Sequence, residues 1–148
     1  MLQTNQHVGF SAAINSGALA IGSTPSQVAI ATAVNYVFRG VFGQRATSAS
    51  IAFPANSGAY TTVPAGFNCA FAIVIDPANS NAVSGIQGPI VPAGDPTPLP
   101  AIPENRVCIG AVKVVNATNP FIPGTTNLNA AGVTATYFNL AVHPGYSL

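Results

Sequence analysis

Charge is what this sequence has least of. Of its 148 residues only Arg39, Arg45, Arg106 and Lys113 are basic, and only Asp76, Asp95 and Glu104 are acidic. That is 5% of the chain and a net charge of +1, where an ordinary soluble domain carries about 25% charged residues. Four scattered cations cannot neutralise a run of phosphates, the interaction that dominates nucleic-acid affinity, so no nucleic-acid partner is expected. Near-zero net charge also removes the repulsion that keeps molecules apart in solution. What surface remains must be built from Ala, Ser, Thr, Asn and Gly, a neutral surface suited to being covered by other protein.

Long apolar runs are missing as well. Hydrophobic residues make up 49% of the chain, yet the longest candidate, Val28 to Phe38, is interrupted by Thr32 and Asn35 and is too short to cross a bilayer. No membrane partner is expected. Met1 to His7 has no basic stretch followed by an apolar core, so no signal peptide is expected either. The two cysteines, Cys69 and Cys108, form no CxxC or CxxH pair. Spacing leaves a bridge between neighbouring strands open, but two buried free thiols acting as small hydrophobes are the preferred reading.

Paired reactive groups are absent too. General acid–base catalysis needs titratable side chains held together, and His7, His143, three acids and two thiols are spread along the whole sequence. There is no Gly-x-Ser-x-Gly elbow and no His-Glu-x-x-His motif. Gly17-Ala18-Leu19-Ala20-Ile21-Gly22 has glycines at phosphate-loop spacing, but Ser23 follows where a lysine is required. Three carboxylates without a His/Cys cluster make a metal site improbable. No catalytic, cofactor-binding or metal-ligating residue is therefore assigned, and an enzyme is not expected. Asn116-Ala117-Thr118 matches a glycosylation sequon and is read as chance.

What the chain does have is punctuation. Thirteen prolines and fourteen glycines separate short apolar runs, the pattern of many short strands joined by turns. Phe67 to Asp76 is the clearest strand: large residues (Phe67, Cys69, Phe71, Ile73, Ile75) alternate with smaller ones (Asn68, Ala70, Ala72, Val74), placing one face in the core and the other under a close cover. Val107 to Val115 and Val133 to Val142 are further strands, the latter rich in β-branched and aromatic residues. Thr47 to Phe53 and Tyr60 to Val63 are shorter ones, joined across Pro54-Ala55-Asn56-Ser57-Gly58. Thr24-Pro25-Ser26-Gln27 has the form of a helix start. Val28 to Phe38 nonetheless alternates cleanly, and its β-branched residues lose side-chain freedom in a helix, so a strand is favoured.

Residues 1–22 read as an extended N-terminal arm, and 23–148 as a single β domain. Within it, residues 88–103 carry so many prolines that they cannot donate a regular ladder of hydrogen bonds, and they read as an extended, polyproline-like strap lying along a surface. As a linker it would leave a second part of about 45 residues, marginal for independent folding.

One block carries a resemblance. Leu99-Pro-Ala-Ile-Pro-Glu-Asn-Arg-Val-Cys-Ile-Gly-Ala-Val-Lys-Val-Val-Asn116, followed after three residues by Pro120-Phe121-Ile122-Pro123-Gly124-Thr125-Thr126-Asn127-Leu128, resembles a segment of the head decoration, or cement, proteins of tailed bacteriophages. Tyr36-Val37-Phe38-Arg39-Gly40 and Cys69 to Asp76 look like the strands that precede it. The likeness covers about the last two-thirds of the chain and contains no chemically diagnostic site. It implies an all-β fold: a single small β-barrel or jelly-roll-like sandwich with the arm and strap attached.

The same likeness implies a place on the outer surface of an icosahedral capsid, after synthesis in the host cytoplasm. The implied partners are the major capsid protein and the chain itself, as a homotrimer in preference to a dimer. No binding residues transfer from it. Arg39, Arg45 and Arg106 are candidate interface anchors because arginine is enriched at binding hot spots, and they read equally as solubilising charges. A tail or fibre component is the alternative; a sugar-binding tip is disfavoured by the missing tryptophan and scarce acid. A secreted β-sandwich adhesion module comes next.

Overall fold

The computed structural model describes residues 11–51 and 60–139. All its regular structure is β: β1 (Ala12–Ala13), β2 (Leu19–Ile21), β3 (Val28–Ile30), β4 (Val34–Phe38), β5 (Val41–Arg45), β6 (Ser48–Ile51), β7 (Phe67–Asp76), β8 (Ala82–Pro92), β9 (Val107–Asn116) and β10 (Val133–Asn139). They form a four-stranded sheet in the order β10-β9-β7-β8 and two three-stranded sheets, β1-β4-β5 and β2-β3-β6. Every pairing is antiparallel. The expectation of an all-β sandwich holds. The barrel does not: each sheet keeps two edge strands and none closes on itself.

The large face of β7 looks into the main core as its alternation predicts. Cys69, Phe71, Ile73 and Ile75 pack with Val107, Ile109, Val112 and Val114 of β9 and with Leu19, Val28, Ile30, Val34 and Tyr36 from the two smaller sheets. Phe71 meets Phe121 edge-on with ring centroids 6.3 Å apart, the geometry aromatic quadrupoles favour. The opposite, small face holds a second cluster of Ala72, Val74 and Cys108. Cys69 and Cys108 thus belong to different faces of one sheet, and both are free, buried thiols.

The strap supplies the cover that the small face requires. Ile102 packs on Ala72, Val74 and Cys108, and Thr97 and Pro100 are buried. Gly88 lets the strap close in, since a Cβ there would stand 2.9 Å from both the Ala70 and the Pro98 carbonyl oxygens. The strap is shorter than the sequence implies, however. Gly88 to Pro92 belong to β8. Between the partners Cys69↔Ile90 and Phe71↔Gln87 the register shifts, so Gly88 and Pro89 share the space opposite Ala70 as a bulge. β8 is an edge strand, where a missing proline N–H costs nothing in the ladder.

The N-terminal arm needs a larger correction. Residues 1–10 lie outside the described chain, but Ala12–Ala13 and Leu19–Ile21 are strands, not an arm. Moving seven residues back from Leu19 to Ala12 moves seven forward from its partner Ile30 to Val37, so β1–β2 and β3–β4 are two legs of one bent hairpin in constant register. The bend explains why Val28 to Phe38 is two strands where alternation shows one. The Asn15 side chain holds the corner, donating to Ala33 O at 2.9 Å and accepting from Asn35 N at 2.6 Å.

Smaller differences follow the same logic. Of Thr47 to Phe53, Ser48–Ile51 form β6 and residues 52–53 lie outside the described residues, while Tyr60 to Val63 is reduced to a single bridge, Val63↔Phe121. The tight turn proposed at 54–58 and residues 140–142 of the last strand lie outside the described residues. Asn116 serves the fold: its side chain is fully buried and donates to Val63 O and Pro64 O at 3.0 and 3.3 Å.

Candidate interaction surface

Among the described residues, the two most exposed large apolar side chains sit on one hairpin. β4 and β5 are joined by the two residues Arg39 and Gly40, with Phe38 paired to Val41. Both turn residues have positive φ, 49° and 81°, as a two-residue turn must have to match the strands' right-handed twist. Glycine adopts this freely and arginine does not, so Arg39 holds a strained position. Its guanidinium lies 5.2 Å from the Phe38 ring centroid, a cation–π contact, and its backbone N–H donates to Ser11 Oγ at 3.1 Å.

Beyond that turn, Val41 is 68% exposed and Phe42 78%. Neighbouring Phe42 on the outer face is Ile14, 53% exposed. Shallow grooves flank Phe42 on both sides. One, about 420 Å³, is lined by Tyr36, Phe38, Arg39, Val41, Pro77 and Ala78. The other, about 570 Å³, is lined by Ile14, Asn35, Gly43 and Gln44. Burying one phenylalanine side chain on a partner is worth about 2–3 kcal/mol, so a projecting ring between two grooves has the form of a binding anchor.

The hairpin is held rigidly. Tyr36 points into the core beneath Gly43, where a Cβ would lie 2.4 Å from its Cζ. The Tyr36 hydroxyl donates to the Asn81 side chain, and burial raises its pKa above the usual phenol value. Asn81 in turn donates to Gln44 O at 3.0 Å. That bond ties down one outward carbonyl of β5, an edge strand, and limits open-ended strand addition there.

The three arginines separate. Arg39 and Arg45 stand at the two ends of β5, and neither has a carboxylate within 4 Å among the described residues. Arg45 Nε is buried with no acceptor. Arg106 lies elsewhere and pairs with Asp76 at 2.9 Å in a partly buried bridge, while the other Asp76 oxygen accepts from Ala78 N at 3.2 Å. Arg106 therefore locks the β7 end to the strap, whereas Arg39 and Arg45 frame the exposed hairpin. Sequence reasoning overlooked Val41 and Phe42. The Arg-Gly pair between two apolar runs was the available signal for a hairpin tip.

Among the described residues no three His, Cys, Asp or Glu side chains gather into a metal-binding group. Comparison with family models, curated proteins and solved structures gives no match to the chain.

Proposed function

We propose that this protein is a non-enzymatic virion component that decorates and stabilises the outer surface of an icosahedral phage head, binding between major capsid subunits and associating with copies of itself. The carrying observation is the rigid hairpin that exposes Val41 and Phe42 on a molecule with almost no charge. A monomer gains nothing from such a feature, whereas a subunit repeated by symmetry buries it many times over. The resemblance of the 99–128 block to head decoration proteins supports the same reading.

The test is co-sedimentation of the purified protein with phage heads that lack it. Binding that saturates at a copy number fixed by icosahedral symmetry, together with heads that resist heating better, is expected. A protein that ignores heads at saturating concentration defeats this reading and transfers the search to tails and fibres.

A further inference from the structure

Seven side chains carry all the formal charge of this protein, and the fold sorts them. Asp76 and Arg106 neutralise each other at 2.9 Å, and Lys113 has a partner of its own. The other four fall into two groups of opposite sign. Arg39 and Arg45 bracket the β5 edge, and Asp95 and Glu104, both exposed, stand near the two ends of the strap. None of these four makes an ion pair within 4 Å among the described residues.

The apolar content of the two patches also matches. The hairpin presents Val41 and Phe42. The strap presents Ala93, Pro96 and Pro103, all exposed, between and beside its carboxylates, next to exposed Pro92 at the end of β8. Aromatic side chains pack well on extended proline-rich backbone, which is already ordered and loses little entropy when covered.

We infer that the β4–β5 hairpin of one copy docks on the proline-rich strap of a second copy, with Phe42 seated among the strap prolines and Arg39 and Arg45 facing Asp95 and Glu104. The hairpin and the strap are different surfaces, so the contact runs head-to-tail, and it forms a ring where the rotation between copies closes. Burial of Phe42 provides the affinity, because exposed ion pairs contribute little on their own. The charges fix orientation and reject wrong pairings. A symmetric contact of β5 on β5 is disfavoured because it brings the arginines of both copies together with no acid between them.

This inference rests on the self-association in the proposed function and adds its surfaces. The first measurement is mass by light scattering across a concentration series, with circular dichroism and melting as a check that each variant folds. Wild type should form a closed ring of defined mass. Phe42→Ser should weaken association at least about tenfold without lowering the melting temperature, since the ring is exposed. Arg39→Glu with Arg45→Glu should do the same. Adding Asp95→Lys and Glu104→Lys to that double variant should restore the ring.

Wild type that stays monomeric overturns the inference, as does an oligomer that survives the charge reversal and Phe42→Ser. Failure of the restoring substitutions also overturns the strap as the receiving surface. Head binding is scored separately on the same samples. A ring that forms and dissociates as expected but never sediments with heads keeps the docking surfaces and removes the head reading. Head binding by variants that remain fully oligomeric does the reverse.

Discussion

At the scale of single residues, the close approach of Gly43 to Tyr36 is what fixes the exposed hairpin. Gly43 has no substitute, because the Tyr36 ring occupies the space of its Cβ and that ring is fixed at its far end by Asn81. Gly43→Ala should therefore cost about 1–3 kcal/mol, the usual range for forcing an extra carbon into a packed site, read as a lower midpoint in urea. The same substitution should also loosen the hairpin that carries Phe42. Tyr36→Phe removes the hydroxyl but keeps the ring, and should be milder.

The thiols give a second residue-scale expectation. Burial pushes both Cys69 and Cys108 up to about 11, from 9.0. Thiolate is the reactive form, so a two-unit rise leaves about a hundredfold less of it at neutral pH. Alkylation at pH 8 should be slow in the native protein and fast in urea. The sign of the pH effect follows. Between pH 9 and 11 the unfolded chain has released thiol protons that the native protein retains, so their contribution to stability is complete below pH 9 and is lost as pH rises toward 11. Urea midpoints that stay level or rise between pH 9 and 11 contradict this.

At the scale of elements, the strap is the part with the most specific consequence. Ile102 covers Ala72, Val74 and Cys108, while Cys69 lies on the other side of the sheet in the main core. Ile102→Ala should cost about 1–2 kcal/mol, less than for a fully buried isoleucine, and should speed native-state alkylation of Cys108 while leaving Cys69 protected. Mass spectrometry after brief labelling distinguishes the two sites. Equal labelling of both would mean the cover is not the strap.

The strap also shows where the sequence was legible. Alternation of large and small residues in β7 gave both its faces and the need for a cover, because period-two patterning reports burial directly. The start of the strap is hidden in the sequence because Pro89 looks like a ladder breaker, and only the bulge and the edge position make it harmless. β1 and β2 were invisible for a related reason. Alanine, serine and glycine have little strand preference of their own, and these segments are strands because β3 and β4 lie beside them in register. Of the candidate site, the enrichment of arginine at binding hot spots offers Arg39, Arg45 and Arg106 alike, and nothing in their spacing shows that Arg106 pairs with Asp76.

For the whole molecule the scarcity of charge makes a prediction of its own. If heads were held by arginines against a phosphate or carboxylate array, affinity would fall steeply with salt, by about 10³–10⁵ between low and moderate ionic strength for six to ten contacts. Among the described residues two guanidinium groups, Arg39 and Arg45, have no carboxylate within 4 Å, and the exposed hairpin offers apolar area instead. Head binding should then change less than about tenfold between 50 and 500 mM salt, since screening acts on few charges. Self-association should weaken modestly over the same range, because charge selects its orientation without supplying most of its affinity. A steep salt dependence of head binding, with ring formation unaffected, would move the head contact away from the hairpin and onto a charged surface contributed by the partner.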